Sequence, residues 1–450
     1  MADYFGTDGV RGVANKELTP ELALKLGKAG GQILKKKSES EANGPVNSPR
    51  IILGKDTRLS GDMLLGALMA GLNSVGVNTI NIGIVPTPAV AYLTRTENVI
   101  GGIMISASHN PVADNGIKFF NSSGYKISDA LEEEIEEKLN NNIKRAEHPF
   151  IGKYHEHKNW IEFYVDNIRN AISANLSGLK VLMDCAYGAA YKLGPQIFKN
   201  MGVNLTAYND ENRGEKINHK CGATNIDFIK EKVENSDADI GVALDGDSDR
   251  CILVDEEGNK IDGDCIMSIC GLHMISENKL NQNKIVTTRY SNLGLQEALK
   301  KAGGEVEIAA NGDKYVLNKM RKENINLGGE KSGHIIFLDH NTSGDGILTA
   351  LKVMSVMVEE GKSLKELSQQ FKPWPQILTN IKVENKSEWK ENKKIQNIII
   401  KAEKDLNKGR VFVRASGTEP VIRVMLEGKE RQKLEKWKIE LENIIREELN

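Results

Sequence analysis

A chain of 450 residues that is 40% hydrophobic and 27% charged can build folded cores and is too long for one ordinary domain. Its 60 basic and 62 acidic side chains leave a net charge of −2, which gives no electrostatic footprint for nucleic acid or an anionic membrane surface. No stretch reaches the about 18 uninterrupted apolar residues of a membrane span, and the polar opening, with Asp3 and Asp8, does not read as a signal peptide.

In chain order, residues 50–81 read as an apolar strand (IILG), a polar turn (DTRLSGD), a helix (MLLGALMAGLNSVG) and a second strand start (VNTI). Residues 180–208 and 284–309 repeat that order, with VLMD and IVTT as the first strands and GVNLTAY and EVEIA as the second. Each repeat is the pattern of a β-α-β unit in a parallel or mixed sheet. Three related α/β domains with mixed sheets are therefore expected, with ligands at the carboxyl ends of the strands. After Pro373–Trp374–Pro375 the pattern changes to strands and charged helices, so a C-terminal α+β lid domain is expected. The boundaries read as 1–157, 158–256, 257–373 and 374–450. The acidic run 132–137 reads as a solvated helix face, and the segment 148–159 as a linker. The five cysteines (Cys185, Cys221, Cys251, Cys265 and Cys270) show no CxxC spacing, which fits a reducing, cytoplasmic setting.

Four short motifs carry chemistry. Asp245-Gly-Asp247-Ser-Asp249-Arg250 follows the apolar run ADIGVAL and reads as an exposed turn. Three carboxylates spaced by two converge readily on one hard cation, and Arg250 beside them can offset charge or hold a phosphate. An EF-hand is excluded, because Arg250 stands where that loop needs glycine and a strand precedes the motif. Ser106-Ala-Ser108-His109-Asn110-Pro111 is a tight turn that presents a hydroxyl at the end of the strand GGIMI. Gly328-Gly-Glu330-Lys-Ser332-Gly-His334 suits hydrogen bonds to sugar hydroxyls. Arg414-Ala-Ser416-Gly417-Thr418-Glu-Pro420, with Arg423 beyond it, combines hydroxyls, a glycine and two arginines into an anion nest.

SASHNP, DGDSDR, GGEKSGH and RASGTEP, in this order and spread over essentially the whole chain, resemble the motifs of the α-D-phosphohexomutase superfamily. The flanks FGTDGVRG, KDTRLSG, PTPAVAYLTR and DNGIKFF are similar to its bacterial branch that acts on glucosamine phosphates. The resemblance implies an enzyme that interconverts glucosamine 6-phosphate and glucosamine 1-phosphate through a phosphoserine and a bound bisphosphate, feeding UDP-N-acetylglucosamine synthesis. It implies that Ser108 is the phosphoserine and that Asp245, Asp247, Asp249 and the Ser108 phosphate hold one Mg²⁺ per chain. His109, Lys118, Arg11 and His334 would be the catalytic groups around that site. Arg250, Glu330 and Ser332, with the loop residues Arg414, Ser416, Gly417, Thr418 and Arg423, would bind substrate. Glucosamine 1,6-bisphosphate or glucose 1,6-bisphosphate would be the activator. No nucleic-acid or membrane partner is implied, and a homodimer is compatible with the sequence. The competing readings are a mutase of glucose or mannose phosphates and a non-catalytic sugar-phosphate binder on the same scaffold. Ser248, Lys331, Ala415 and Arg289-Tyr290 depart from the usual residues at their positions without removing a ligand.

Overall fold

The computed structural model describes residues 4–6, 8–141, 143–416 and 420–450. The chain forms two compact units, Met1–Tyr290 with Gly304–Gln370, and Ser291–Gly303 with Phe371–Asn450. No helix among the described residues is long and apolar enough to cross a membrane.

The first unit holds three sheets. In the first, strands Arg50–Lys55, Asn78–Ile84 and Gly101–Ile105 run parallel, and Asp114–Asn121 then pairs antiparallel with Gly101–Ile105. In the second, Lys180–Asp184, Asn204–Tyr208 and Ile240–Leu244 run parallel, and Cys251–Asp255 turns back antiparallel on Ile240–Leu244. In the third, Lys284–Thr288, Glu305–Ala309 and Leu327–Gly329 run parallel, and Ile335–Phe337 closes antiparallel on Leu327–Gly329. All three pairs of strands expected from the repeats are parallel neighbours, so each sheet is mixed. Strands such as Gly101–Ile105 and Ile240–Leu244 are buried throughout, which explains their unbroken apolar sequence.

Two local expectations are corrected. The 148–159 segment does not only link domains, because Tyr154–Glu156 pairs with Asn78–Ile84 at the edge of the first sheet. The acidic run is not wholly solvated either. It lies on the helix Asp129–Leu139, where Glu132 is buried and Glu136 accepts the backbone N–H groups of Tyr4 and Phe5 at 2.6 Å.

The second unit is α+β, with a three-stranded antiparallel sheet in which Val421–Glu427 lies between Gln376–Lys382 and Arg410–Ala415. Helices Lys393–Asp405 and Arg431–Leu449 cover it through Ile395, Ala402, Leu434, Leu441 and Ile445. Helix Leu293–Lys301 belongs to this unit as well, and one carboxylate ties it in. Glu427 is fully buried, pairs with the Arg410 guanidinium (Nε at 2.7 Å) and accepts the Leu293 backbone N–H at 2.8 Å. Arg410→Met would leave a buried carboxylate without its countercharge. It is expected to destabilise this unit by about 3–5 kcal/mol, measured as a shift in its chemical denaturation midpoint.

Candidate active site

The four motifs occupy equivalent places in the four sheets. Each sits on the turn of an antiparallel hairpin rather than on a strand-to-helix turn. SASHNP lies between strands Gly101–Ile105 and Asp114–Asn121, and DGDSDR between Ile240–Leu244 and Cys251–Asp255. EKSGH joins Leu327–Gly329 to Ile335–Phe337, and the fourth motif joins Arg410–Ala415 to Val421–Glu427. A hairpin returns the chain within a few residues, so several side chains of one short turn can face one point.

The serine turn is held from below by a buried ion pair that the sequence reading did not single out. Asp56 and Arg58 are both buried, with Arg58 Nε 3.0 Å from Asp56 Oδ2. Ser106 Oγ donates to the same Asp56 oxygen at 2.6 Å and accepts the Ser108 N–H at 2.9 Å. The remaining Arg58 donors reach the carbonyls of Ser108 (3.0 Å), Asn110 (2.8 Å), Pro111 (2.5 Å) and Asp114 (2.8 Å). One guanidinium thus fixes the whole loop, and Asn218 adds a bond to the Ser108 carbonyl at 2.8 Å. Ser108 itself has φ +50°, a conformation unfavourable for a non-glycine residue and seen where surrounding bonds impose it. The only hint in sequence was the Asp-x-Arg spacing after a strand.

The DGDSDR turn is not exposed as expected. Asp245 and Asp247 are fully buried and Asp249 nearly so, because the first and third sheets pack around it. Ser108 Oγ donates to Asp245 Oδ2 at 2.6 Å. Gly246 makes this approach possible, since a Cβ there would lie 2.6 Å from the Ser108 carbonyl oxygen. Asp247 Oδ2 accepts from Lys118 Nζ at 2.7 Å and Thr87 Oγ1 at 2.6 Å. Lys118 Nζ also lies 3.2 Å from Asp8 and 3.6 Å from Asp249. Burial alone would lower the Lys118 pKa, but Asp247, Asp8 and Asp249 outweigh it and hold the ammonium above its ordinary value. Burial raises Asp245 well above the usual carboxylate range, and the charges of Asp249 and Asp247 add to that.

These three carboxylates suit a metal ion. One ligand atom from each of Asp245, Asp247 and Asp249 lies within 4.8 Å of the others. Asp247 Oδ1 and Asp249 Oδ1 are buried without a hydrogen-bond partner, and a hard cation would satisfy both.

Other expected residues gather around this centre. Arg11 donates to Asn110 Oδ1 at 2.9 Å and pairs with Asp8. His109 Nδ1 is 3.3 Å from Ser108 Oγ, and burial, helped by Arg250 and Arg11, lowers its pKa to about 4. His109 is therefore neutral near pH 7. Arg250 Nε is 3.9 Å from Asp249, and the guanidinium also feels Asp245 and Glu330. His334 Nε2 stands 3.4 Å from Asp313 and 3.9 Å from Asp249, with neither ring nitrogen hydrogen-bonded. Glu330 Oε1 accepts the Gly312 N–H at 3.0 Å, and the exposed Ser332 hydroxyl donates to its other oxygen at 3.4 Å.

The second unit carries the remaining candidates. Arg414 and Arg423 stand directly opposite each other on adjacent antiparallel strands. Ser416 is buried beside them, with its carbonyl bonded to Lys386 Nζ at 2.7 Å. Gly417 and Thr418 lie outside the described residues.

Models of the phosphoglucomutase/phosphomannomutase domains match in order: α/β/α domains I at residues 2–146, II at 162–258 and III at 262–374, and the C-terminal domain at 378–444. The chain belongs to the phosphoglucomutase/phosphomannomutase family. Among its relatives, the phosphoglucosamine mutase of Natranaerobius thermophilus is 48% identical over 448 residues, covering 99% of each chain. That of Clostridioides difficile is 47% identical over 458 residues, covering 100% of both. Among solved structures, a phosphoglucomutase/phosphomannomutase family protein from Burkholderia thailandensis superposes with a TM-score of 0.82 at 23% identity, covering 100% of this chain and 99% of that one. An Aspergillus fumigatus N-acetylphosphoglucosamine mutase, solved with GlcNAc-6P and magnesium, gives 0.65 at 20% identity over 91% and 85% of the two chains. These two structural likenesses bear on the fold.

Arg58→Met tests the foundation of the site. It would strand the Asp56 carboxylate and is expected to cost about 3–5 kcal/mol, read by denaturant titration.

Proposed function

We propose that this protein is a phosphoglucosamine mutase, an intramolecular phosphotransferase that interconverts glucosamine 6-phosphate and glucosamine 1-phosphate. Its membership of the family and its full-length relatives of that name support the reaction class. The observation that carries the mechanism is the 2.6 Å bond from Ser108 Oγ to Asp245 inside a buried triad of carboxylates.

Ser108, as phosphoserine, would give its phosphoryl group to a sugar hydroxyl and form glucosamine 1,6-bisphosphate. The proton lost by that hydroxyl would pass to a base, for which His109 and His334 are the candidates, and a proton would return to the Ser108 oxygen as its phosphoryl group leaves. The bisphosphate would then turn within the site and return its other phosphoryl group to Ser108, the Ser108 hydroxyl proton passing through the same base to the sugar oxygen that leaves. Asp245, Asp247 and Asp249, with the Ser108 phosphate, would hold one Mg²⁺, which supplies positive charge to the phosphoryl oxygens. Lys118, Arg11 and Arg250 add fixed positive charge around the same point. Glu330 and Ser332 would grip the sugar hydroxyls. Arg414, Ser416, Gly417, Thr418 and Arg423 would hold the phosphate that is not reacting, which a phosphatase would not need. Glucosamine 1,6-bisphosphate or glucose 1,6-bisphosphate would recharge a dephosphorylated enzyme. A cytoplasmic setting and a role in supplying UDP-N-acetylglucosamine fit this chemistry.

The test combines mass and turnover. Intact mass should show one phosphoryl group that maps to Ser108, and Ser108→Ala should lower kcat by about a thousandfold or more. EDTA should abolish turnover and Mg²⁺ restore it. Turnover should be fastest on glucosamine 1-phosphate when compared with glucose and mannose 1-phosphates. An active Ser108→Ala enzyme would overturn the phosphoserine mechanism, and a faster rate on glucose or mannose 1-phosphate would overturn the amino-sugar assignment.

A further inference from the structure

One stretch of the molecule is more heavily cross-linked than the reaction chemistry requires. Residues 125–132 of the first α/β domain face the helix Asp313–Glu323 of the third through reciprocal charges. Lys126 of the first domain pairs with Asp313. The next residue, Lys314, points its ammonium back at Asp129 and, at 3.0 Å, at Glu132. The basic and acidic partners are thus crossed, so a rotation that improved one pair would stretch the other. About two helical turns further on, the Arg321 guanidinium lies 3.9 Å from the centre of the Tyr125 ring. Tyr125 also packs against a buried cluster that includes Val316, Leu317 and Met320 of that helix.

The residue just before this pair faces the sugar loop. Gly312 has φ +118°, a conformation that only glycine adopts readily, and its N–H donates to Glu330 Oε1 at 3.0 Å. Three consecutive residues therefore have three targets: Gly312 holds Glu330, Asp313 meets Lys126 and stands 3.4 Å from His334, and Lys314 meets Asp129 and Glu132. The half-buried Lys126 also pairs with Asp8, which in turn contacts Lys118 and Arg11.

We propose that Asp313 and Lys314, crossed with Lys126 and the Asp129–Glu132 carboxylates, are positioning residues that set where the Glu330 carboxylate meets the sugar relative to Ser108. The proposal rests on the reading of Glu330 as the sugar-gripping group of a hexose-phosphate mutase. None of the clasp carboxylates or ammonium groups need touch substrate. Breaking the crossed pairs would let the third domain shift against the first, so the Gly312 N–H and Glu330 would move together away from the sugar. Binding made equally to ground and transition states would be lost, which appears in KM and leaves kcat largely alone.

The experiment measures KM and kcat for whichever hexose 1-phosphate the wild-type enzyme turns over fastest. Lys314→Glu, facing Asp129 and Glu132, should raise KM about tenfold or more while kcat stays within about threefold. Combining it with Asp129→Lys and Glu132→Lys reverses the pairs and should return KM to within about threefold of wild type. If Lys314→Glu fails to fold, Lys314→Met carries the same measurement without added repulsion. An unchanged KM, a loss confined to kcat, or a reversed-charge variant that fails to recover would each overturn the proposal. A wild-type enzyme that prefers glucose or mannose 1-phosphate would change the substrate assigned above and leave the clasp standing. A wild type inactive on all three would overturn both.

Discussion

The first unit depends on the repulsion among three carboxylates confined to one buried turn. Ligand atoms of Asp245, Asp247 and Asp249 all lie within 4.8 Å of one another, and two like charges at such a distance cost about 3 kcal/mol at an effective dielectric near 20. Everything packed around the DGDSDR turn opposes that cost. Lys118 brings an ammonium from the first sheet, Arg250 a guanidinium from the turn itself, and the Ser108 and Thr87 hydroxyls donate hydrogen bonds. Two carboxylate oxygens remain unsatisfied, and they are the ones that a cation would take. The same electrostatics that would destabilise a bare turn thus defines a place that suits a metal ion.

Hairpins make this arrangement repeatable. Each α/β sheet runs parallel through its core, and the chemistry sits where the next strand first turns back antiparallel. A parallel crossover would have needed a helix there, which separates consecutive side chains by long stretches of chain. The second unit uses the same device in an all-antiparallel sheet, where register places Arg414 against Arg423.

Much of this was legible in the sequence, for identifiable reasons. Parallel strands read as apolar runs, and the repeated order of strand, turn, helix and strand gave the three α/β domains. The motif residues were legible because their types are chemically unusual together. The supports were not. Arg58 reads as an ordinary surface residue, yet it is buried against Asp56, with donors to four loop carbonyls. Lys126 and Asp313 are 187 positions apart, and no local pattern links them. Glu132 looked solvated because acidic helix runs usually are, yet it is buried and paired with Lys314, 182 positions away.

The sequence by itself determined the elements, their order and the chemical kinds of group available, because periodicity and residue type are local properties. Tertiary structure decided which of those groups meet. Burial of the DGDSDR turn, the bond from Ser108 to Asp245 and the crossed pairs of Lys126 and Lys314 all join residues from different domains. They depend on how folded sheets pack against one another, and charge pairing across such distances leaves no trace in local sequence.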